Sequence, residues 1–71
     1  MTCYVYEEHT LLKHIEGSPN FTILAASPLR GSTFDPRLDG HTILLGFNNL
    51  RPATKEDFAA FRVDPRGYFP D

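Results

Sequence analysis

Thr54-Lys55-Glu56-Asp57-Phe58-Ala59-Ala60-Phe61-Arg62 is the stretch that sets the fold class, because it carries the clearest local signals for a helix. The Thr54 hydroxyl is placed to accept from the backbone N–H three residues on. Asp57 stands where the reciprocal half of a capping box belongs, although Glu or Gln is commoner there. Glu56 and Asp57 in the first turn and Arg62 in the last complement the helix dipole. Pro52 precedes the segment, and Pro65 ends it, since the residue before a proline, Asp64, is disfavoured in the α region. Phe58 and Phe61 are three apart and share a face, with Ala59 and Ala60 permitting close approach. That face is expected to dock on a sheet.

Upstream, the chain reads as strands. His41-Thr42-Ile43-Leu44-Leu45-Gly46-Phe47 lies between Asp39-Gly40 and Asn48-Asn49, which are turn chemistry on both flanks. Alternation puts His41, Ile43, Leu45 and Phe47 on the core face, and Gly46 on the other face marks a bulge or the close approach of another backbone. Phe21-Thr22-Ile23-Leu24-Ala25-Ala26, bounded by Asn20 and Ser27-Pro28, reads as a second strand. Cys3-Tyr4-Val5-Tyr6 reads as the first strand of the chain, running to about Glu8, and is suited to pair edge to edge with a partner strand or a second copy. Leu11, Leu12 and Ile15 fit either a turn of helix capped by Thr10 or a strand. Strand is favoured, because Gly17-Ser18-Pro19-Asn20 then closes a hairpin to the Phe21 run. The expected fold is α+β: a small three- to four-stranded, mostly antiparallel sheet with one C-terminal helix packed on one face, in a single small domain over residues 1–71.

Two segments remain. Residues 27–40 contain Pro28, Gly31, Pro36 and Gly40 and form a long loop for so short a chain; such loops are usually functional or disordered. Phe34 and Leu38 are candidates to pin it to the core. After Pro65, Arg66-Gly67-Tyr68-Phe69 is too rich in turn residues for an element, yet it carries two aromatics. Asp35-Pro36-Arg37 recurs as Asp64-Pro65-Arg66, which two Asp-Pro turns explain better than a repeat.

At 71 residues the chain is near the lower limit for a single hydrophobic core, and a core of that size supplies only about 3–5 kcal/mol. A homodimer would add buried area. The net charge of −2 and pI of about 5.8 disfavour a protein whose work is gripping phosphate backbones. Cys3 is the single cysteine, so neither an intrachain disulfide nor a thiolate cluster can form. The first residues lack the basic and apolar regions of a secretory signal, and no apolar run reaches the roughly 18–20 residues that span a bilayer. A cytoplasmic protein without membrane contact is expected.

The reactive residue types suggest no enzyme. His9, His14 and His41, even with Cys3, match no compact metal-ligand spacing, so neither metal nor cofactor is expected, and His9 and His14 are placed at a half-exposed strand edge. Cys3 has no helix N-terminus or basic cluster to activate it and reads as a small buried hydrophobe. Asp35 and Asp39 read as turn formers rather than paired acids. Glu7 and Glu8, adjacent in a strand, would point to opposite faces. The reading that remains is a small protein-binding module of the inhibitor or adaptor type, with Phe34 and Arg37 of the loop and Arg66, Tyr68 and Phe69 of the tail as its contact residues, since interfaces favour aromatics and Arg. The competing reading is that these aromatics complete an undersized core, while Arg30 and Arg37 pair with Asp35 and Asp39. A nucleic-acid or ribonucleoprotein accessory role is the alternative function: arginines interleaved with aromatics suit single strands, but the negative net charge opposes it. Nothing in the residues identifies the partner.

Overall fold

The structure is a computed structural model, and it describes residues 2–35, 37 and 39–69. Five strands, β1 (Thr2–Tyr6), β2 (Thr10–His14), β3 (Asn20–Ala26), β4 (Thr42–Leu44) and β5 (Leu50–Pro52), precede one helix, α1 (Lys55–Ala60), and a 3-10 turn occupies Pro28–Arg30. The sheet order is β4-β3-β2-β1-β5, with every neighbouring pair antiparallel. The α+β class with a C-terminal helix is as the sequence indicates, with one strand more than expected. The additional strand is β5, three residues hidden between a turn signal and the helix. Pro52 is tolerated there because β5 lies at an edge.

β1 and β2 are covered on both faces. Val5 stands opposite Leu11, and Tyr4 opposite Leu12. Leu11 and Leu12 are adjacent and both fully buried, on opposite sides of the sheet. The β2–β3 register pairs Leu11 with Ala25 but Leu12 with Ile23, so Leu24 is the extra residue of a bulge. The bulge reverses the alternation of β3: Phe21 and Ile23 pack with Leu12, whereas Leu24 and Ala25 pack with Cys3, Val5 and Leu11.

The first face is closed by Phe58 of α1, together with Ala53, Phe61, Val63, Tyr68 and Phe69. The second is closed by the curl of the sheet itself. The link from β4 to β5, residues 45–49, must pass from one edge to the other. Laid flat, five strands would hold their edges about 19 Å apart, close to the full reach of such a link. This link also turns at residues 48–49, so the edges bend towards each other. Phe47 in it makes edge-to-face contacts with Tyr4, His14 and Phe21 at centroid distances of 6.0, 5.3 and 5.3 Å.

Several expectations are corrected. β1 lies between β2 and β5, so the edge pairing foreseen for it is unavailable; the edges are β4 and β5. His9 precedes β2 and His14 is its last residue, and both are buried rather than half exposed. His14 Nε2 lies 2.7 Å from the Ser18 carbonyl oxygen, and its ring lies against Phe21. The 41–47 strand shortens to Thr42–Leu44: Ile43 and Leu45 do pack on Phe21 and its neighbours, but His41 is exposed. Gly46 marks no close approach, since the nearest atom to a Cβ there would be 3.9 Å away. Leu38 lies outside the described residues.

The helix is as its code indicates, and shorter. Both halves of the capping box form: Asp57 N donates to Thr54 Oγ1 at 3.3 Å, and Thr54 N donates to Asp57 Oδ2 at 2.8 Å. At its end Arg62 N donates to the Ala59 carbonyl at 3.1 Å and Val63 N to the Phe58 carbonyl at 2.9 Å, the crossed bonds of a Schellman motif. Arg62 is thus the residue just past the helix, at φ 60, not a member of its last turn. Among the described residues, no helix is long and apolar enough to cross a membrane.

Candidate functional site

The sheet divides the residues expected to contact a partner. Phe34 packs on the second face, 6.2 Å from the Tyr6 ring. Tyr68 and Phe69 pack on the first face, each 5.2 Å from the Phe58 ring. They form no common surface. Arg37 and Arg66 are exposed, but each is folded back on the aspartate two residues before it. Arg37 N donates to Asp35 Oδ1 at 2.9 Å and its Nη2 to Asp35 Oδ2 at 2.7 Å; Arg66 N donates to Asp64 Oδ1 at 3.0 Å and its Nη2 to Asp64 Oδ2 at 2.6 Å. The repeated Asp-Pro-Arg is therefore one local clasp used twice. In each, the guanidinium hydrogen-bonded to the carboxylate lowers its pKa.

Arg51 was not singled out by sequence reasoning, and it joins three elements. Its guanidinium donates to Asp57 at 2.7 and 2.8 Å and to Glu8 Oε1 at 2.9 Å. This ties the β1–β2 turn to the N-terminus of α1. The hydrogen bonds from Arg51 hold the Asp57 carboxyl well below the usual carboxylate range, against the opposing effect of its burial.

The same turn carries a polar chain. Glu7 and Glu8 both have left-handed backbones, φ 48 and 62, and His9 N donates to the Tyr6 carbonyl at 3.1 Å. Positive φ at both central positions is a turn that normally selects Asn-Gly. From it runs a series of contacts: Glu7 Oε2 to His9 Nε2 at 3.4 Å, His9 Nδ1 to Thr10 Oγ1 at 2.7 Å, and Thr10 Oγ1 to Ser32 Oγ at 2.9 Å. Acid, imidazole and hydroxyl occur in the order used to activate a nucleophile. Yet the hydroxyl beside the imidazole, Thr10, is fully buried, and no substrate can reach it. Ser32 Oγ also accepts from Phe34 N at 3.2 Å, so the chain fastens the long loop to β2. Cys3 is buried, and its burial raises the thiol pKa. Among the described residues, no three His, Cys, Asp or Glu side chains converge to hold a metal ion.

A concavity lies elsewhere, between the 3-10 turn of the long loop and the C-terminal end of α1. It is an open groove of about 420 Å³ whose walls include Ala26, Leu29, Arg30, Ala60, Phe61 and Arg62. Leu29 is fully exposed. Its turn is nonetheless well fixed: Gly31, at φ 103, donates its N–H to the Pro28 carbonyl at 3.0 Å, and Ser32 N donates to the Ser27 carbonyl at 3.0 Å. The Arg30 guanidinium lies 4.9 Å from the centroid of Phe61, within cation–π range. The sequence offers one signal for this groove, an apolar residue between Pro28 and Arg30 that belongs to no periodic run.

Comparison with protein-family models, with curated proteins and with solved structures finds no match to this chain. The groove is therefore read from its own geometry.

Proposed function

We propose that the chain is a small cytoplasmic protein-recognition module of the inhibitor or adaptor type, with no catalysis of its own, which docks its partner in the groove between the long loop and α1. Leu29 carries this reading. Single exposed apolar residues are ordinary on protein surfaces, but Leu29 is presented at the tip of a turn closed by three backbone hydrogen bonds, from the N–H groups of Arg30, Gly31 and Ser32, beside a concavity that also exposes part of Phe61. A rigid apolar anchor next to a groove is how small modules seat a partner at little ordering cost. In this reading Tyr68 and Phe69 act from behind, by packing on Phe58 and fixing the helix that forms one wall.

The test is an affinity capture from a cell extract with the tagged wild-type chain and with Leu29→Asp, matched for secondary structure by circular dichroism. The expected result is a complex that withstands nuclease and about 0.5 M salt and is lost with Leu29→Asp; dissolution by nuclease or salt would instead indicate nucleic acid. Capture that is unchanged by Leu29→Asp would remove the groove from the reading.

A further inference from the structure

The chain has five arginines. Three are committed to carboxylates: Arg37 to Asp35, Arg66 to Asp64, and Arg51 to Glu8 and Asp57. Among the described residues, Arg30 and Arg62 form no such pair, Arg30 acting on the Glu8 carboxylate only from beyond salt-bridge distance, and both line the groove. The walls between them include the apolar side chains of Leu29, Ala60 and Phe61. The other arginines show what this chain's guanidinium groups take when a carboxylate is in reach, and the forked geometry of Arg suits that group.

Arg62 adds an independent observation. It stands at the position past a helix end where glycine is favoured, with a left-handed backbone at φ 60. A non-glycine residue there is strained, and no ion pair within the described residues compensates for it. Strain held against a local preference points to a requirement outside the fold.

We infer that the groove takes a peptide segment in which apolar residues are flanked by acidic ones, with Arg30 and Arg62 receiving the carboxylates and the Leu29–Phe61 surface receiving the apolar side chains. This rests on the protein-recognition reading and gives its partner a chemistry. The groove's volume falls within the roughly 300–1,000 Å³ of ligand sites. A nucleic acid fits it less well. The walls hold a single aromatic ring, Phe61, whereas single strands are held by successive bases stacked on several aromatic side chains.

The probe is a fluorescein-labelled Gly/Ser peptide of about twelve residues with Glu-Leu-Leu-Glu at its centre, titrated with the full chain and followed by anisotropy. Parallel peptides carry Lys-Leu-Leu-Lys or Glu-Ser-Ser-Glu, and a labelled oligothymidine serves as the polyanion. The acidic–apolar peptide is expected to bind at least about tenfold more tightly than either parallel peptide or the oligonucleotide. Arg30→Gln and Arg62→Gly should each weaken it about tenfold, with Arg62→Gly melting no lower than the wild type. The inference is overturned if the peptide fails to bind at about 1 mM, if the lysine peptide or the oligonucleotide binds as well, or if both variants bind like the wild type. Loss of the cellular complex with Leu29→Asp, combined with no binding of the acidic–apolar peptide, would sink this partner chemistry and leave the recognition reading standing.

Discussion

Arg62 and Asp57 mark the two ends of α1, and each makes a quantitative claim. If Arg62 serves a partner rather than the fold, Arg62→Gly relieves its left-handed strain and should raise the free energy of unfolding by roughly 0.5–1 kcal/mol, read from urea titrations. A lower stability would show that the Arg62 side chain supports the fold. Asp57 is the opposite case, a residue retained for structure. Its carboxylate completes the capping box and receives two bonds from Arg51, so Asp57→Ala should cost about 2 kcal/mol. Because its pKa is depressed in the folded chain, the stability it contributes is complete above its unfolded value near 4 and is lost as pH falls below that. Thermal melts should hold level from about pH 6 to pH 5, decline below about pH 4, and decline less steeply in Asp57→Asn. Glu8, Asp35 and Asp64 are depressed as well, but they are exposed, and their pairs add little to the slope.

At the scale of elements, α1 is only six residues long and cannot persist without tertiary support. Phe58 supplies that support, being fully buried between Cys3, Val5 and Leu11 on one side and the tail aromatics on the other. Phe58→Ala should cost roughly 3–5 kcal/mol, about the whole stability of a core this small, and is expected to leave the chain unfolded by circular dichroism. Truncation after Val63 should also abolish cooperative melting, because Tyr68 and Phe69 cover Phe58. A sharp, unshifted melt in the truncated chain would return those aromatics to the partner surface. The elements differ in how far the sequence announces them. α1 was legible because its cap, box and stop signals lie within a dozen residues. β2 left its period open because Leu11 and Leu12 are buried on opposite faces, which erases both the helical and the alternating pattern. β5 left no local trace: Leu50, Arg51 and Pro52 become a strand only through pairing with Tyr4, Val5 and Tyr6 far upstream. The groove was illegible for a similar reason, since a loop turn and a helix end meet there only in space. That the sheet sets Phe34 on one face and Tyr68 and Phe69 on the other is likewise a non-local fact, carried by no signal within the loop or the tail.

Across the whole molecule, the ladders fall into two kinds. β1–β2, β2–β3 and β3–β4 join neighbours in the chain, whereas β1–β5 joins Tyr4 to Pro52 and Tyr6 to Leu50. Contacts between distant residues carry the larger loop-closure cost and tend to form late. Leu50→Ala should therefore speed unfolding while leaving the folding rate nearly unchanged, whereas Val5→Ala, which weakens the β1–β2 hairpin, should slow folding; stopped-flow chevrons would separate the two, and a slowed folding limb in Leu50→Ala would contradict this order. The late arrival of β5 matters most during synthesis. Until residues 50–52 have left the ribosome, the outer edge of Tyr4-Val5-Tyr6 is an open, β-prone template that a neighbouring nascent chain can join. Three residues that bury little surface thus act as a guard against co-translational aggregation, and shortening β5 should lower the soluble yield more than it lowers the melting temperature.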